Sequence, residues 1–129
     1  MRFLALIVLL GLVATAHAQD LRKLPPEKAV QLTIEYGDGV QKIFSALEWK
    51  EKQTVFDVLQ LAEKHPRGIK LKHRGSGATT LVTAIDDAAN QASGDNWLYE
   101  VNGKRADRSC AVYELQAGDK VLWKFGNSK

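Results

Sequence analysis

The sequence predicts an α+β fold in which a single helix covers a mixed β-sheet. Apolar residues recur at every second position in several short segments, a pattern that is typical of half-buried strands. Residues 54–64 instead carry apolar residues at helical spacing. Two strands precede this helix and three to five follow it, so the chain lacks the strand–helix alternation of a doubly wound parallel fold.

The first two strands are predicted to form a hairpin. Polar residues of the first strand alternate with four apolar or aromatic ones, Val30, Leu32, Ile34 and Tyr36. The Gly-Asp-Gly sequence at 37–39 supplies a turn, and residues 40–49 return as the second strand. The domain therefore begins with two adjacent strands of the sheet.

The helix has a defined start and end. Thr54 can cap the free amide groups of the first turn, and Asp57 suits the positive end of the helix dipole. Four apolar residues then form one face: Val55, Val58, Leu59 and Ala62. His65-Pro66 ends the helix, because the residue before a proline is pushed out of helical geometry.

Two short strands are expected directly after the helix. Residues 69–73 form the first strand and residues 79–85 the second. The Gly-Ser-Gly sequence at 75–77 separates them, since its glycines allow the positive φ angles that such a break requires. Residues 86–96 are expected to form a polar loop.

The last third of the chain holds the closing strands. Trp97, Tyr99 and Val101 share one face of a strand, which Asn102-Gly103 ends with a strong turn signal. A turn at 117–119 precedes the last strand, in which one face carries Val121, Trp123 and Phe125. A hairpin, one helix and later strands fit an α+β roll, and a β-grasp-like arrangement is its natural form.

The N-terminus predicts a secretory signal peptide over residues 1–18. Arg2 precedes an apolar run at 3–13, and a small-residue cleavage site follows at 14–18. The alternative is a membrane anchor, but the run is shorter than the roughly 20 apolar residues that span a bilayer. We therefore expect a secreted or periplasmic protein with no membrane span after cleavage. Residues 19–29 are expected to be a flexible lead-in to one domain at 30–126.

Cysteine content and charge exclude several classes of protein. Cys110 is the only cysteine, so the domain has no internal disulfide to support its core. We expect Cys110 to be a small buried side chain, and the alternatives are a reactive thiol or an intermolecular bridge. Loss of Arg2 with the signal peptide reduces the formal net charge from +3 to +2. That charge is too balanced to indicate binding to nucleic acid or to an anionic membrane.

Together these segments resemble the transcobalamin-like C-terminal domain family, a group of β-grasp modules also called DUF4430 domains. The matching segments, in the family's order and spacing, are 32–39, 54–59, 82–86, 97–103, 113–115 and 118–123. In the vertebrate cobalamin carriers a domain of this type packs against one face of the corrin ring, and a large helical domain supplies the other half of the site. This sequence contains no counterpart of that helical domain. The resemblance therefore implies the fold, and it makes cobalamin a candidate ligand that half a site would bind weakly.

Trp97 and Tyr99 are the best candidates for a binding site. They share one face of a strand and could stack a planar ligand, with a third aromatic residue on a neighbouring strand. Asn90, Asp95 and Asn96 precede this strand and could offer amides and a carboxylate to the same ligand. The alternatives are that the aromatic residues form the core and that the polar residues shape a turn.

No catalytic or metal site is predicted. Asp86 and Asp87 would point to opposite faces of a strand, so a strand-end turn explains them better than a paired-acid site. His65 and His73 fit no zinc spacing, and Ser76 lacks the Gly-x-Ser-x-Gly elbow of a nucleophile. We therefore expect a protein that is not an enzyme and that requires no cofactor.

The sequence thus favours an exported, non-catalytic binding module that recognises a small planar ligand such as a corrinoid. The alternative is a protein-interaction module that docks another envelope protein through a sheet edge or a basic rim. In either case we expect a monomer. That rim would combine two groups of basic residues, Lys70, Lys72 and Arg74 before residue 75 and Lys104, Arg105 and Arg108 after residue 103.

Overall fold

The computed structural model describes residues 24–127. Within that range the chain forms one α-helix, α1 (Val55–Lys64), and eight strands. The strands are β1 (Ala29–Glu35), β2 (Gln41–Glu48), β3 (Leu71–Arg74), β4 (Leu81–Ile85), β5 (Ala88–Ala89), β6 (Asn96–Val101), β7 (Lys104–Arg105) and β8 (Lys120–Gly126). Short 3-10 turns at Pro26–Lys28 and Gly77–Thr79 precede β1 and β4.

Five strands form a mixed sheet in the order β2-β1-β8-β6-β7. Its central pair, β1 and β8, is parallel, and the other neighbouring strands are antiparallel. In the parallel pair Leu32 lies opposite Val121, and Ile34 lies opposite Trp123. A first hairpin, a single helix and a last strand that returns beside the first confirm the α+β class and the β-grasp-like order predicted from the sequence.

A second, three-stranded sheet differs from the single sheet that the sequence predicts. It has the order β3-β4-β5, and its residues Val82 and Ile85 join the same core as α1 and the large sheet. β5 lies inside the segment 86–96 that was expected to be a polar loop throughout. β4 starts two residues later than predicted, because Gly77–Thr79 turn in a 3-10 conformation that Thr79 closes through hydrogen bonds with Ser76.

The helix begins and ends as its sequence predicts. Thr54 and Asp57 form a capping box, in which Asp57 N donates to Thr54 Oγ1 at 3.2 Å and Thr54 N donates to the Asp57 carboxylate at 2.9 Å. His65 caps the C-terminus in an extended conformation. The predicted apolar face is buried throughout and consists of Val55, Val58, Leu59 and Ala62.

The predicted signal peptide, residues 1–18, lies outside the described residues, as does 19–23 of the expected lead-in. The rest of the lead-in approaches the sheet, since Pro26–Lys28 turn and Trp49 N donates to Lys28 O at 2.9 Å. Across 24–127, no helix has the length and apolar character needed to cross a bilayer.

Candidate functional site

Trp97 and Tyr99 share one face of β6, as predicted, and that face is covered. Tyr99 lies opposite Trp123 of β8, with ring centroids 5.0 Å apart, and Trp97 lies opposite Phe125 at 5.1 Å. Only 4% of Trp97 and 8% of Tyr99 is exposed. The structure therefore places both rings in the hydrophobic core, the alternative considered from the sequence, and they present no open wall to a planar ligand.

A small cleft between the two sheets does reach these aromatic residues. Its volume is about 160 Å³, and Val82 of β4 faces Trp97 and Tyr99 of β6 across it. Sites for drug-sized ligands occupy about 300–1,000 Å³. The cleft is therefore too small to admit a macrocycle.

The three polar candidates shape the segment that leads into β6. Asn90 accepts from Trp97 N at 2.8 Å through Oδ1 and donates to Val82 O at 3.0 Å, so both ends of its amide are used. Asp95 closes the turn through its backbone carbonyl, which accepts from Gln91 N at 2.9 Å. With its amide oriented to satisfy its surroundings, Asn96 donates to the carbonyls of Gln91 and Asp95 at 3.2 and 3.1 Å.

Trp97 connects this segment with an open surface on the other side of the ring. Its indole Nε1 donates to Ala88 O at 2.8 Å, and its ring meets the Tyr36 ring edge-on at 5.7 Å. Tyr36 and Ala88 both line an open concavity with a volume of about 530 Å³. We call this surface the polar concavity, and its lining residues are Tyr36, Asp38, Val40, Lys42, Lys70, Asp86, Asp87 and Ala88.

Asp86 is the centre of the polar concavity. One carboxylate oxygen accepts from the Tyr36 hydroxyl and from Lys42 Nζ at 3.0 Å. The other accepts from Lys70 N at 2.9 Å, and Asp86 N donates in turn to Lys70 O at 2.7 Å. One carboxylate therefore ties the end of β1, the start of β2 and the segment before β3 together.

The environment of Asp86 shifts the pKa of two groups. Burial favours the neutral acid of Asp86, but the hydrogen bonds from Tyr36, the Lys70 backbone and Lys42 outweigh burial and hold its pKa below the usual range. Burial raises the pKa of Tyr36 well above its ordinary value, and the hydrogen bond to the Asp86 carboxylate raises it further. At neutral pH Asp86 is therefore an ionised acceptor and Tyr36 a neutral donor.

The backbone of Asp86 is also unusual. Its φ of 53° lies in the left-handed region, where few residues other than glycine, asparagine and aspartate are found. Asp86 and Asp87 form the turn between β4 and β5, so the predicted strand-end turn is present. The sequence gives no signal for the partners of Asp86, because Tyr36 is 50 residues away and the bond depends on how the two sheets pack.

The remaining candidates are dispersed. Phe44 packs edge-on against His65 and Phe56 against His73, at 5.3 and 4.8 Å between ring centroids. Among residues 24–127, no three or more His, Cys, Asp or Glu side chains converge as metal ligands would. The two groups of basic residues expected to form a rim lie by different sheets, the first just before and along β3 and the second in and after β7. Cys110 is buried, as expected, and its burial raises the pKa of the thiol to about 11.

Comparison with known proteins decides the family. A family model described as a domain of unknown function, DUF4430, matches residues 52–127. The chain belongs to the DUF4430 family. The matched range includes Asp86, Lys70 and Trp97, whereas Tyr36 and Lys42 of the polar concavity precede it.

Solved structures support the fold of this DUF4430 domain. One is described as the crystal structure of a "putative metal binding protein" from Ruminococcus gnavus, and it superposes with a TM-score of 0.64 at 15% identity. The similarity covers 80% of this chain and 100% of the other, and at that identity it shows the fold alone. No curated protein matches the sequence.

Proposed function

We propose that this DUF4430 domain is an exported, non-catalytic binding module and that its ligand contacts the polar concavity. The observation that carries the proposal is the environment of Asp86. Its ionised carboxylate accepts hydrogen bonds from three donors, and its backbone has a left-handed φ angle. It lies at an open concavity with a volume of about 530 Å³. Perturbed pKa values, strained backbone and concave shape each concentrate at binding sites.

The chemistry of the lining favours a ligand with both hydrogen-bond donors and acceptors. Lys42 and Lys70 offer cationic donors, while Asp38 and Asp87 offer carboxylate acceptors. Val40 is 55% exposed and supplies apolar surface beside them. A corrinoid combines an apolar ring face with a periphery of amides, so it is the specific ligand that we propose to test first. Binding to this half-site should be weak, because few contacts offset the entropy lost on association.

The same groups favour binding over catalysis. A general acid or base works best when its pKa is near the working pH. The pKa of Tyr36 is raised far above neutrality and that of Asp86 is lowered, so neither exchanges protons readily at pH 7. Lys42 is paired with Asp86 at 3.0 Å. We therefore propose a recognition role in the envelope or outside the cell, as a monomer.

The test is equilibrium dialysis of the mature protein against dicyanocobinamide and, separately, cyanocobalamin. We expect saturable binding and a melting temperature that rises with ligand concentration. At a ligand concentration of 100 times Kd, the free energy of unfolding should increase by about 2.7 kcal/mol. Lys42→Met should weaken binding, since it removes a donor that lines the concavity. Lys72→Met is the matched control, because Lys72 is exposed on β3 and lies outside the lining.

Two results would overturn the proposal. One is the absence of binding by either corrinoid at about 1 mM, together with no small molecule identified by mass spectrometry of the purified protein. The other is equal loss of binding in Lys42→Met and Lys72→Met, which would place the ligand elsewhere. Export has its own measurement: sequencing of the mature N-terminus should begin at Gln19.

A further inference from the structure

The outer edge of the five-stranded sheet carries a second site, which shares only Lys42 with the polar concavity. β2 is an edge strand, because β1 is its only neighbour in the sheet order. Tyr36 N donates to Val40 O at 3.0 Å, which fixes the alternation of hydrogen-bonded pairs along the hairpin. Lys42 and Phe44 therefore direct their backbone groups toward β1, while Gln41 and Ile43 direct theirs away from the sheet.

These outward backbone groups are free within the described chain. Across residues 24–127, no hydrogen bond joins the backbone of Gln41 or Ile43 to a segment beyond β1. At the far end of β2 the situation differs, since Gln53 Nε2 donates to Glu48 O at 2.9 Å. A bulge opposite the Val30–Leu32 segment of β1 further limits the regular edge. The free edge is therefore about five residues long, at 41–45.

A groove follows this edge on the helix side. Its volume is about 450 Å³, and it is lined by residues 42–47 of β2 together with His65 and Arg67. Phe44 and His65 pack edge-on at 5.3 Å across it. On the opposite face of the strand Ile43 is 58% exposed. A strand added at this edge would thus place alternate side chains in the groove and beside Ile43.

The charge of the groove selects the partner. Arg67 and Lys42 line it, and no carboxylate does. Lys42 is already paired with Asp86, whereas Arg67 forms no ion pair among residues 24–127. A second copy of this chain would bring the same cations to the shared edge, so like charges disfavour β2–β2 pairing.

We propose that the β2 edge binds an extended segment of another protein, in which acidic residues alternate with apolar ones. The segment would add as a sixth strand. Its acidic side chains would face Arg67 in the groove, and its apolar side chains would pack beside Ile43. The proposal rests on the unpaired edge, Ile43 and Arg67, none of which lines the polar concavity.

The test uses a fluorescein-labelled hexapeptide, (Val-Glu)3, and measures its binding to the mature protein by fluorescence polarisation up to about 1 mM, the range of weak association. We expect saturable binding, and we expect (Val-Lys)3 to bind about tenfold more weakly or not at all. Arg67→Glu should reverse that preference. Arg74→Glu is the matched control, because Arg74 is exposed on β3 and does not line the groove.

Backbone pairing is tested on the peptide, so that the protein stays unchanged. In a strand, alternate N–H groups point to opposite edges. One peptide variant carries methyl groups on all valine nitrogens, and a second carries them on all glutamate nitrogens. Only one of these two sets of N–H groups can face β2, so one variant should lose binding and the other should keep it. Corrinoid binding, measured in parallel, should be unchanged in Arg67→Glu, because Arg67 does not line the polar concavity.

Three outcomes would overturn the inference. They are no binding of (Val-Glu)3 at about 1 mM, equal binding of the glutamate and lysine peptides, and equal binding of the two methylated peptides. Loss of corrinoid binding alone would contradict only the function proposed for the concavity.

Discussion

The Tyr36 hydroxyl donates a hydrogen bond to the Asp86 carboxylate and so joins the large sheet to the turn between β4 and β5. Lys42 adds an ion pair at 3.0 Å to the same carboxylate. The side chains of Lys42 and Asp86 are 39% and 24% exposed, so water screens this pair only in part. The contact therefore has a structural effect that can be measured without any ligand.

Asp86→Asn should destabilise the fold in a pH-dependent way. At pH 7 it replaces charge-assisted hydrogen bonds with neutral ones, which should lower the free energy of unfolding by about 1–3 kcal/mol. The pKa of Asp86 is lowered in the folded state, so its contribution is present above the ordinary value of about 3.9 and is lost as pH falls through the folded value. The difference in free energy of unfolding between wild type and Asp86→Asn should therefore become smaller below about pH 4.

Urea denaturation at pH 7 and at pH 3 measures that difference. Asp87→Asn is the matched control, since Asp87 is exposed beside Asp86 and should show little effect at either pH. A cost for Asp86→Asn that is the same at both pH values would contradict the role assigned to its ionised form.

The two glycines of the first turn should respond differently to substitution. Gly37 and Gly39 have φ angles of 84° and 90°, so alanine at either position strains the backbone by about 1–2 kcal/mol. A Cβ at Gly37 would also lie 2.7 Å from Phe125 O, whereas one at Gly39 would meet nothing within 4 Å. Gly37→Ala should cost about 1–3 kcal/mol more than Gly39→Ala. Chemical denaturation compares the two, and equal costs would refute the close approach of β8 to this turn.

Truncation of Trp97 distinguishes a core residue from a ligand-stacking one. Trp97→Ala should cost about 3–5 kcal/mol, because the ring is 4% exposed and its Nε1 donates to Ala88 O. Tyr99→Phe should cost about 1 kcal/mol, through loss of the 2.6 Å bond from its hydroxyl to Arg108 O. Leu98→Ala, on the opposite face of β6, is the control with a smaller effect. Guanidinium denaturation measures these free energies of unfolding. A Trp97→Ala variant as stable as wild type would contradict the assignment of Trp97 to the core.

Cys110 should be unreactive in the native protein. It is 3% exposed, and burial raises its pKa to about 11, so little thiolate is present or accessible at pH 8. A thiol reagent such as Ellman's reagent should react slowly with the folded chain and at once with the chain in guanidinium. Rapid stoichiometric labelling under native conditions would instead support the reactive thiol that the sequence left open.

Local signals predicted most of the secondary structure. The alternation from Val30 to Tyr36 and the Thr54–Asp57 cap depend on neighbouring residues, and both are present as expected. The sequence does not predict β5, because its two residues, Ala88 and Ala89, carry no period-two pattern. It does not predict that β3 and β4 form a sheet of their own, because strand pairing depends on long-range packing. In the candidate site, Asp86 was correctly placed in a turn, but the donors that make it distinctive come from distant segments.

By itself the sequence determined which residues share a face, where the helix starts and stops, and that the chain resembles DUF4430 domains. These properties follow from spacing, capping and turn chemistry, which act over a few residues. Tertiary structure alone decided which faces are covered. It buried Trp97 and Tyr99, brought Tyr36 to Asp86 and left the edge of β2 unpaired. A period of two places side chains on one face, but only long-range packing determines whether that face meets the core, a ligand or water.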